Sequence, residues 1–223
     1  MIGLLGDIHG KFEELSLLMD SHKEIDTWIQ VGDLGGENLP YESLPSRCLF
    51  ISGNHENWDL VKDIDEGKTL YLNLQHIKNG ELLKVKGLNI LGLGGNYSSK
   101  FFPYKESDLP PTRRRHFVAD QYYKALELGL LNDIDILVTH EAPSPYCKSS
   151  GGRDLGIPLI SELVEMAKPK FHFFGHHHYM TARDLGSTTS VGLDYGHQEF
   201  FFISPENLEI GHVDTDNRIN RDF

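Results

Sequence analysis

The sequence predicts an α/β fold built around a parallel sheet, and three observations carry that expectation. Short apolar runs of strand length are each followed at once by a polar, Gly-rich loop. Stretches with helical periodicity fall between those runs, as the crossovers of a parallel sheet require. Asp7, His9, Asp33, Asn54, His140, His176 and His178 nearly all sit in the loops that follow such runs. A parallel sheet presents its strand ends as one rim, so these side chains can converge from distant parts of the chain.

Taken in order, Ile2-Gly3-Leu4-Leu5-Gly6 reads as a buried strand feeding Asp7-Ile8-His9-Gly10. Phe12, Leu15, Leu18 and Met19 repeat on a helical face, with Glu13 and Glu14 near the N-terminus where the helix dipole favours acids. Thr27-Trp28-Ile29-Gln30-Val31 is strand-like and delivers Asp33, and Leu49-Phe50-Ile51-Ser52 does the same for Gly53-Asn54-His55-Glu56. Residues 71–85 offer short alternating stretches, and 88–93 a further strand at which a second sheet is expected to begin. The stretch 97–114, with Phe101-Phe102-Pro103-Tyr104 and Pro110-Pro111, is a long excursion of the kind that carries specificity. A helix is expected over 115–129, then a strand over 134–139 that presents His140. The loop Ser149-Ser150-Gly151-Gly152 precedes a helix carrying Ile160, Leu163, Val164 and Ala167, stopped by Pro169. Phe171-His172-Phe173-Phe174 is a strand ending in Gly175-His176-His177-His178. Residues 188–193, 198–203 and 208–213 read as antiparallel strands closing the second sheet.

With 223 residues, 39% hydrophobic and 24% charged, the chain is expected to form a single globular domain over 1–223. It has no apolar run of bilayer-spanning length and no signal-peptide pattern at its N-terminus, so no membrane partner and a cytoplasmic location are expected. Cys48 and Cys147 are too few for a disulfide framework, and reduced thiols fit that compartment. The net charge of −12 opposes broad binding to nucleic-acid backbones. Two divalent cations at one spot would still draw a phosphate into an otherwise acidic surface.

The seven residues suit that arrangement. Hydrolysing a phosphate ester at neutral pH needs an activated water and relief of phosphoryl charge, and a pair of metal ions supplies both. Imidazole and carboxylate donors together favour Mn, Fe or Zn, whereas magnesium prefers oxygen ligands.

The blocks Asp7-Ile8-His9, Gly32-Asp33, Gly53-Asn54-His55-Glu56, His140 and Gly175-His176-His177-His178 resemble the signature of the calcineurin-like metallophosphoesterases, in that family's order. The resemblance implies a four-layer α/β/β/α sandwich of two mixed sheets flanked by helices. It also implies that Asp7, His9 and His178 hold one metal, that Asn54, His140 and His176 hold the other, and that Asp33 bridges both. His55 is not a ligand in the family; it would stabilise the transition state or protonate the leaving oxygen. Gly36 stands where the protein-phosphatase branch carries a supporting Asp, which argues against that branch.

A nearer likeness is to the RNA lariat debranching enzymes, through residues 53–56, Leu91-Gly92-Leu93-Gly94-Gly95, Arg115-His116-Phe117-Val118 and Lys168-Pro169. It runs through roughly residues 1–180. Those enzymes carry Cys where this chain has His9, and His-Asp-Trp-Pro where it has His140-Glu141-Ala142-Pro143. The implied activity is a phosphodiesterase on nucleotides or short RNA. The alternatives are a phosphomonoesterase on small metabolites or phosphoproteins, and a metal-binding interaction module without turnover.

Within Arg113-Arg114-Arg115, Arg115 is the candidate phosphate contact, with Tyr97 as a stacking surface; a solvated basic turn is the alternative. Glu56 either orients His55 or a ligand or simply opens a helix. His177 alternates away from its neighbours and is expected to be a bystander.

Overall fold

The computed structural model describes residues 1–69, 72–146, 152–214 and 219–220; Cys147 and the loop at 149–151 lie outside them. Strands β1 (Ile2–Leu5), β2 (Thr27–Gln30), β3 (Arg47–Phe50) and β4 (Leu74–His76) run parallel. A second sheet contains β5 (Glu81–Val85), β6 (Leu88–Leu93), β7 (Ile136–Thr139), β8 (Phe171–Phe174), β9 (Thr181–Leu185) and β10 (Thr188–Gly192). The chain then returns to the first sheet through β11 (Phe200–Ile203), β12 (Ile210–Val213) and β13 (Ile219–Asn220). Spatial order is β13-β12-β11-β1-β2-β3-β4 in one sheet and β5-β6-β7-β8-β10-β9 in the other.

Strand alternation builds the layers. Ile2, Leu4, Ile29, Leu49 and Ile51 face one way and meet Ile90, Ile136, Val138 and Phe173 of the opposite sheet. Leu5, Trp28, Cys48 and Phe50 face the other way, onto α1 (Phe12–Ser21) and α2 (Trp58–Asp65). On the far side Leu91, Leu93 and Leu137 pack beneath α3 (Ala119–Leu131) and α4 (Pro158–Ala167). The result is the expected α/β/β/α sandwich. Each fully buried large side chain contributes about 1.5–3 kcal/mol, so both faces of the central strands must stay apolar.

Several elements depart from expectation. β11 and β12 complete the first sheet, not the second, because β1 has a free edge there and Ile2 pairs with Ile203 and Leu4 with Phe201. Phe200 and Phe202 face the α1 layer while Phe201 and Ile203 face the opposite sheet, so this strand needs cover on both sides. The second sheet starts earlier than expected, at β5, which pairs antiparallel with β6. β10 lies parallel to β8 and antiparallel to β9, a polar strand that lacks the apolar alternation by which strands are recognised. α2 was not legible either: Val61 is its one buried residue, and Asn57 caps it by accepting from the Leu60 N–H at 3.3 Å. Arg115 lies in a turn, His116 is bridged to Asn96, and α3 begins only at Ala119.

Candidate metal centre

β1, β2 and β3 are neighbours in one sheet, β7 and β8 in the other, and the loops after all five open on the same rim. Asp7 follows β1, Asp33 follows β2, Asn54 follows β3, His140 follows β7, and His176 and His178 follow β8. The donor atoms of Asp7, His9 and His178 form one group within 4.8 Å, and those of Asp33, His140 and His176 form a second.

Each carboxylate accepts a backbone N–H and still faces two imidazoles. The His176 N–H donates to Asp7 Oδ1 at 3.0 Å, leaving Oδ2 at 2.8 Å from His178 Nε2 and 3.7 Å from His9 Nε2. The His55 N–H donates to Asp33 Oδ1 at 2.7 Å. Asp33 also stands between the groups, with Oδ1 3.6 Å from His140 Nε2 and Oδ2 3.9 Å from His9 Nε2. Asn54 Oδ1 lies 3.1 Å from His140 Nε2, which joins Asn54 to the second group.

The donor chemistry fits divalent cations. His140 Nδ1 lies 3.0 Å from the Val31 carbonyl, a contact that calls for a proton on Nδ1 and leaves Nε2 as the nitrogen that takes a further proton or a metal ion. Nε2 faces the acceptor oxygens of Asn54 and Asp33, so a positive charge belongs among them, either a proton on that nitrogen or a metal ion. Burial lowers the proton affinity of His140, but Asp33, Asp7 and the Val31 carbonyl override it and hold the pKa above the ordinary value. Burial, reinforced by His140, takes His176 down to about 3, which leaves it neutral and able to ligate at neutral pH. His9 Nε2 and His178 Nε2 face each other at 3.1 Å, so both rings turn the same nitrogen toward the place where one ion would sit. His9, Asp33, His176 and His178 all have positive φ, between 49° and 67°, the kind of backbone strain that persists where the surroundings enforce a functional geometry.

The surrounding loops are fixed by groups that sequence reasoning only partly identified. Glu56 is completely buried. Its Oε1 accepts from the N–H groups of Leu34 at 3.1 Å and Gly53 at 3.0 Å, and its Oε2 from the Gly35 N–H at 3.3 Å and the Tyr41 hydroxyl. One carboxylate thus ties the Asp33 loop to the Asn54 loop. Burial, reinforced by Asp33, holds Glu56 above the usual carboxylate range despite those donors. Gln30 bridges the carbonyls of Gly6 and Gly32 and accepts from the Gly32 N–H at 3.0 Å, joining the loops after β1 and β2. Gly32 has φ +100°, and a Cβ there would meet His140 Nδ1 at 2.4 Å; a Cβ on Gly175 would meet Asp7 Oδ1 at 2.3 Å.

His55 is exposed at the rim, its ring 5.6 Å from that of His9. Tyr195, which no motif flagged, packs 4.2 Å from the His178 ring. His177 turns aside and stacks on Tyr146 at 4.7 Å. Tyr97 is half-buried; its N–H donates to Glu141 Oε1 at 3.1 Å and its ring packs against Phe102 and Phe117. Arg115 is half-buried at the Asn96 crossing, where its carbonyl accepts from the Asn96 N–H at 2.7 Å.

Fold and site together define an α/β sandwich with a histidine–carboxylate centre at its strand ends. The calcineurin-like phosphoesterase profile matches residues 1–180, and the chain belongs to that family of phosphoester hydrolases. A lariat debranching enzyme of Entamoeba histolytica is 25% identical over 244 residues, covering 86% of this chain and 68% of that protein. The human lariat debranching enzyme is 25% identical over 201 residues, covering 75% of this chain but 36% of its own length. This chain thus spans about two thirds of the first relative and about a third of the second. Among solved structures, TT1561 of Thermus thermophilus superposes with a TM-score of 0.70 at 15% identity, covering 96% of this chain and 98% of that one. GAP50 of Plasmodium, described as the anchor in the inner membrane complex, matches with a TM-score of 0.54 at 12% identity over 96% of this chain and 80% of its own. Both share the fold.

Proposed function

We propose that the protein is a two-metal phosphodiesterase acting on nucleotides or short nucleic acids. The observation that carries this reading is the Asp33 carboxylate, whose two oxygens face His140 on one side and His9 on the other. Asp7, His9 and His178 would hold one ion, Asn54, His140 and His176 the other, with Asp33 between them. Bound there, manganese, iron or zinc ions would acidify a shared water and offset the charge of the phosphoryl oxygens. The diester preference is supported by the relatives named as lariat debranching enzymes. No helix among the described residues is long and apolar enough to cross a membrane, and Cys48 is a buried free thiol whose pKa burial pushes up to about 12.

The chain's own groups would do the rest. Asp7 and Asp33 are buried carboxylates, each oriented by a backbone N–H, so the phosphoryl group would meet a fixed arrangement. His55 would give a proton to the leaving oxygen, a role supported by its backbone N–H anchored on Asp33 and its exposed ring beside His9. Replacing His55 with Ala should lower kcat by roughly 10²–10⁴-fold while metal content stays at the wild-type level. Unchanged turnover would remove His55 from the mechanism. Asp33→Asn should lose metal and activity together, and full metal content in that variant would contradict the bridging role. Bis-aryl and mono-aryl phosphates separate the diesterase from a monoesterase: faster turnover of the bis-aryl ester is expected.

A further inference from the structure

A cavity of about 660 Å³ opens beside the centre, between α2, the end of β4, the 106–116 part of the excursion and the start of α3. Its floor is Ser52 with Gly94 and Gly95, joined where the Gly95 N–H donates to the Ser52 carbonyl at 2.7 Å. Ser52 lies two residues before Asn54, a span of about 7 Å at most, so cavity and centre share one loop.

The lining opposes the charge of the molecule. In a chain of net charge −12, Lys62, Lys78, Lys124 and Arg114 reach this cavity against Asp65 and Glu106. Lys62 and Lys78 meet their acidic neighbours only at 3.9 Å each, solvent-exposed pairings that a phosphate can displace at little cost. The half-buried Trp58 lines the cavity as well. Cationic side chains beside an aromatic face, in a volume within the range of about 300–1,000 Å³ used for small ligands, match a nucleotide: phosphate to Lys and Arg, base against the ring.

The same cavity holds an arrangement that resembles a nucleophile triad. Ser52 Oγ lies 2.9 Å from His76 Nε2, and His76 Nδ1 lies 3.1 Å from Asp65 Oδ1. The N–H groups nearest to it are already committed: Gly53 to Glu56, Gly94 to Asn79 and Gly95 to Ser52. With those donors taken they cannot cradle an oxyanion, and the relay instead fixes the His76 ring as part of the wall.

We propose that this cavity binds one nucleotide arm of a phosphodiester whose scissile phosphate lies at the metal centre, an inference that rests on the diesterase reading. Hydrolysis of a 3′,5′-linked dinucleotide and of a mono-aryl phosphate is compared in the wild type, in Lys78→Glu/Lys124→Glu, and in Lys23→Glu/Lys84→Glu. The last pair changes net charge equally at exposed positions that do not line the cavity. The ratio of dinucleotide to aryl kcat/KM should fall roughly tenfold in the cavity variant and stay within about twofold of wild type in the control. Equal ratios in the two variants overturn the proposal. A wild type that hydrolyses only the aryl ester sinks the diesterase reading instead. Adenosine monophosphate binding, followed by tryptophan fluorescence, then decides the cavity: loss in the Lys78/Lys124 variant supports it, and undiminished or absent wild-type binding overturns it.

Discussion

Glu56 shows how a residue that touches no metal donor can set the geometry of the centre. Its carboxylate accepts from Leu34, Gly35, Gly53 and Tyr41, so both lone-pair-rich oxygens are spent on holding two loops together. Glu56→Gln keeps the size but turns an NH₂ group toward those donors, which leaves buried N–H groups facing a donor. Metal affinity measured by chelator competition should drop roughly 10- to 100-fold. Unaltered affinity would show that the clamp is dispensable. The ligand residues themselves were legible because Asp, His and Asn recur in order after strand-like runs. Tyr41, Gln30 and Tyr195 were not, since a lone Tyr or Gln carries no spacing signal and gains its role only through tertiary contact.

At the scale of elements, the strands that carry the centre were the readable part of the fold, because β1, β2, β3, β7 and β8 are short, mostly apolar runs whose central residues are buried on both faces. What was misplaced was pairing: nothing in the alternation of residues 200–203 says which sheet has the free edge, and that is decided by β1. His172 of β8 tests how those strands are joined. Its ring lies 2.9 Å from Thr139 Oγ1 on β7 and 2.9 Å from Ser190 Oγ on β10, and burial lowers its pKa to about 3. The unfolded chain protonates this group near its ordinary value of about 6.5, while the folded chain does so only near 3. Stability is therefore lost as pH falls from about 6.5 toward 3. Urea denaturation at pH 7 and pH 5 should give a smaller loss for His172→Gln than for wild type; an identical loss would remove this histidine from the acid response. The α3–α4 crossing is equally specific. A Cβ on Gly129 would meet the Ala167 Cβ at 2.6 Å, so Gly129→Val should destabilise the fold by about 1–3 kcal/mol in the same assay. A variant as stable as wild type would mean that the two helices can separate freely.

Across the whole molecule, two sheets packed through one apolar layer bring Asp7, which follows a strand of the first sheet, and His178, which follows a strand of the second, to the same rim. The acidic surface and the cationic cavity then divide the work: general repulsion from polyanions, with local attraction beside the centre. All of this depends on two cations lying among Asp7, His9, Asp33, Asn54, His140, His176 and His178. Anomalous diffraction from crystals of the manganese-loaded protein measures that directly. The expected map has two peaks about 3.5–4 Å apart with the Asp33 carboxylate between them. A single peak, or none within reach of both donor groups, would contradict it.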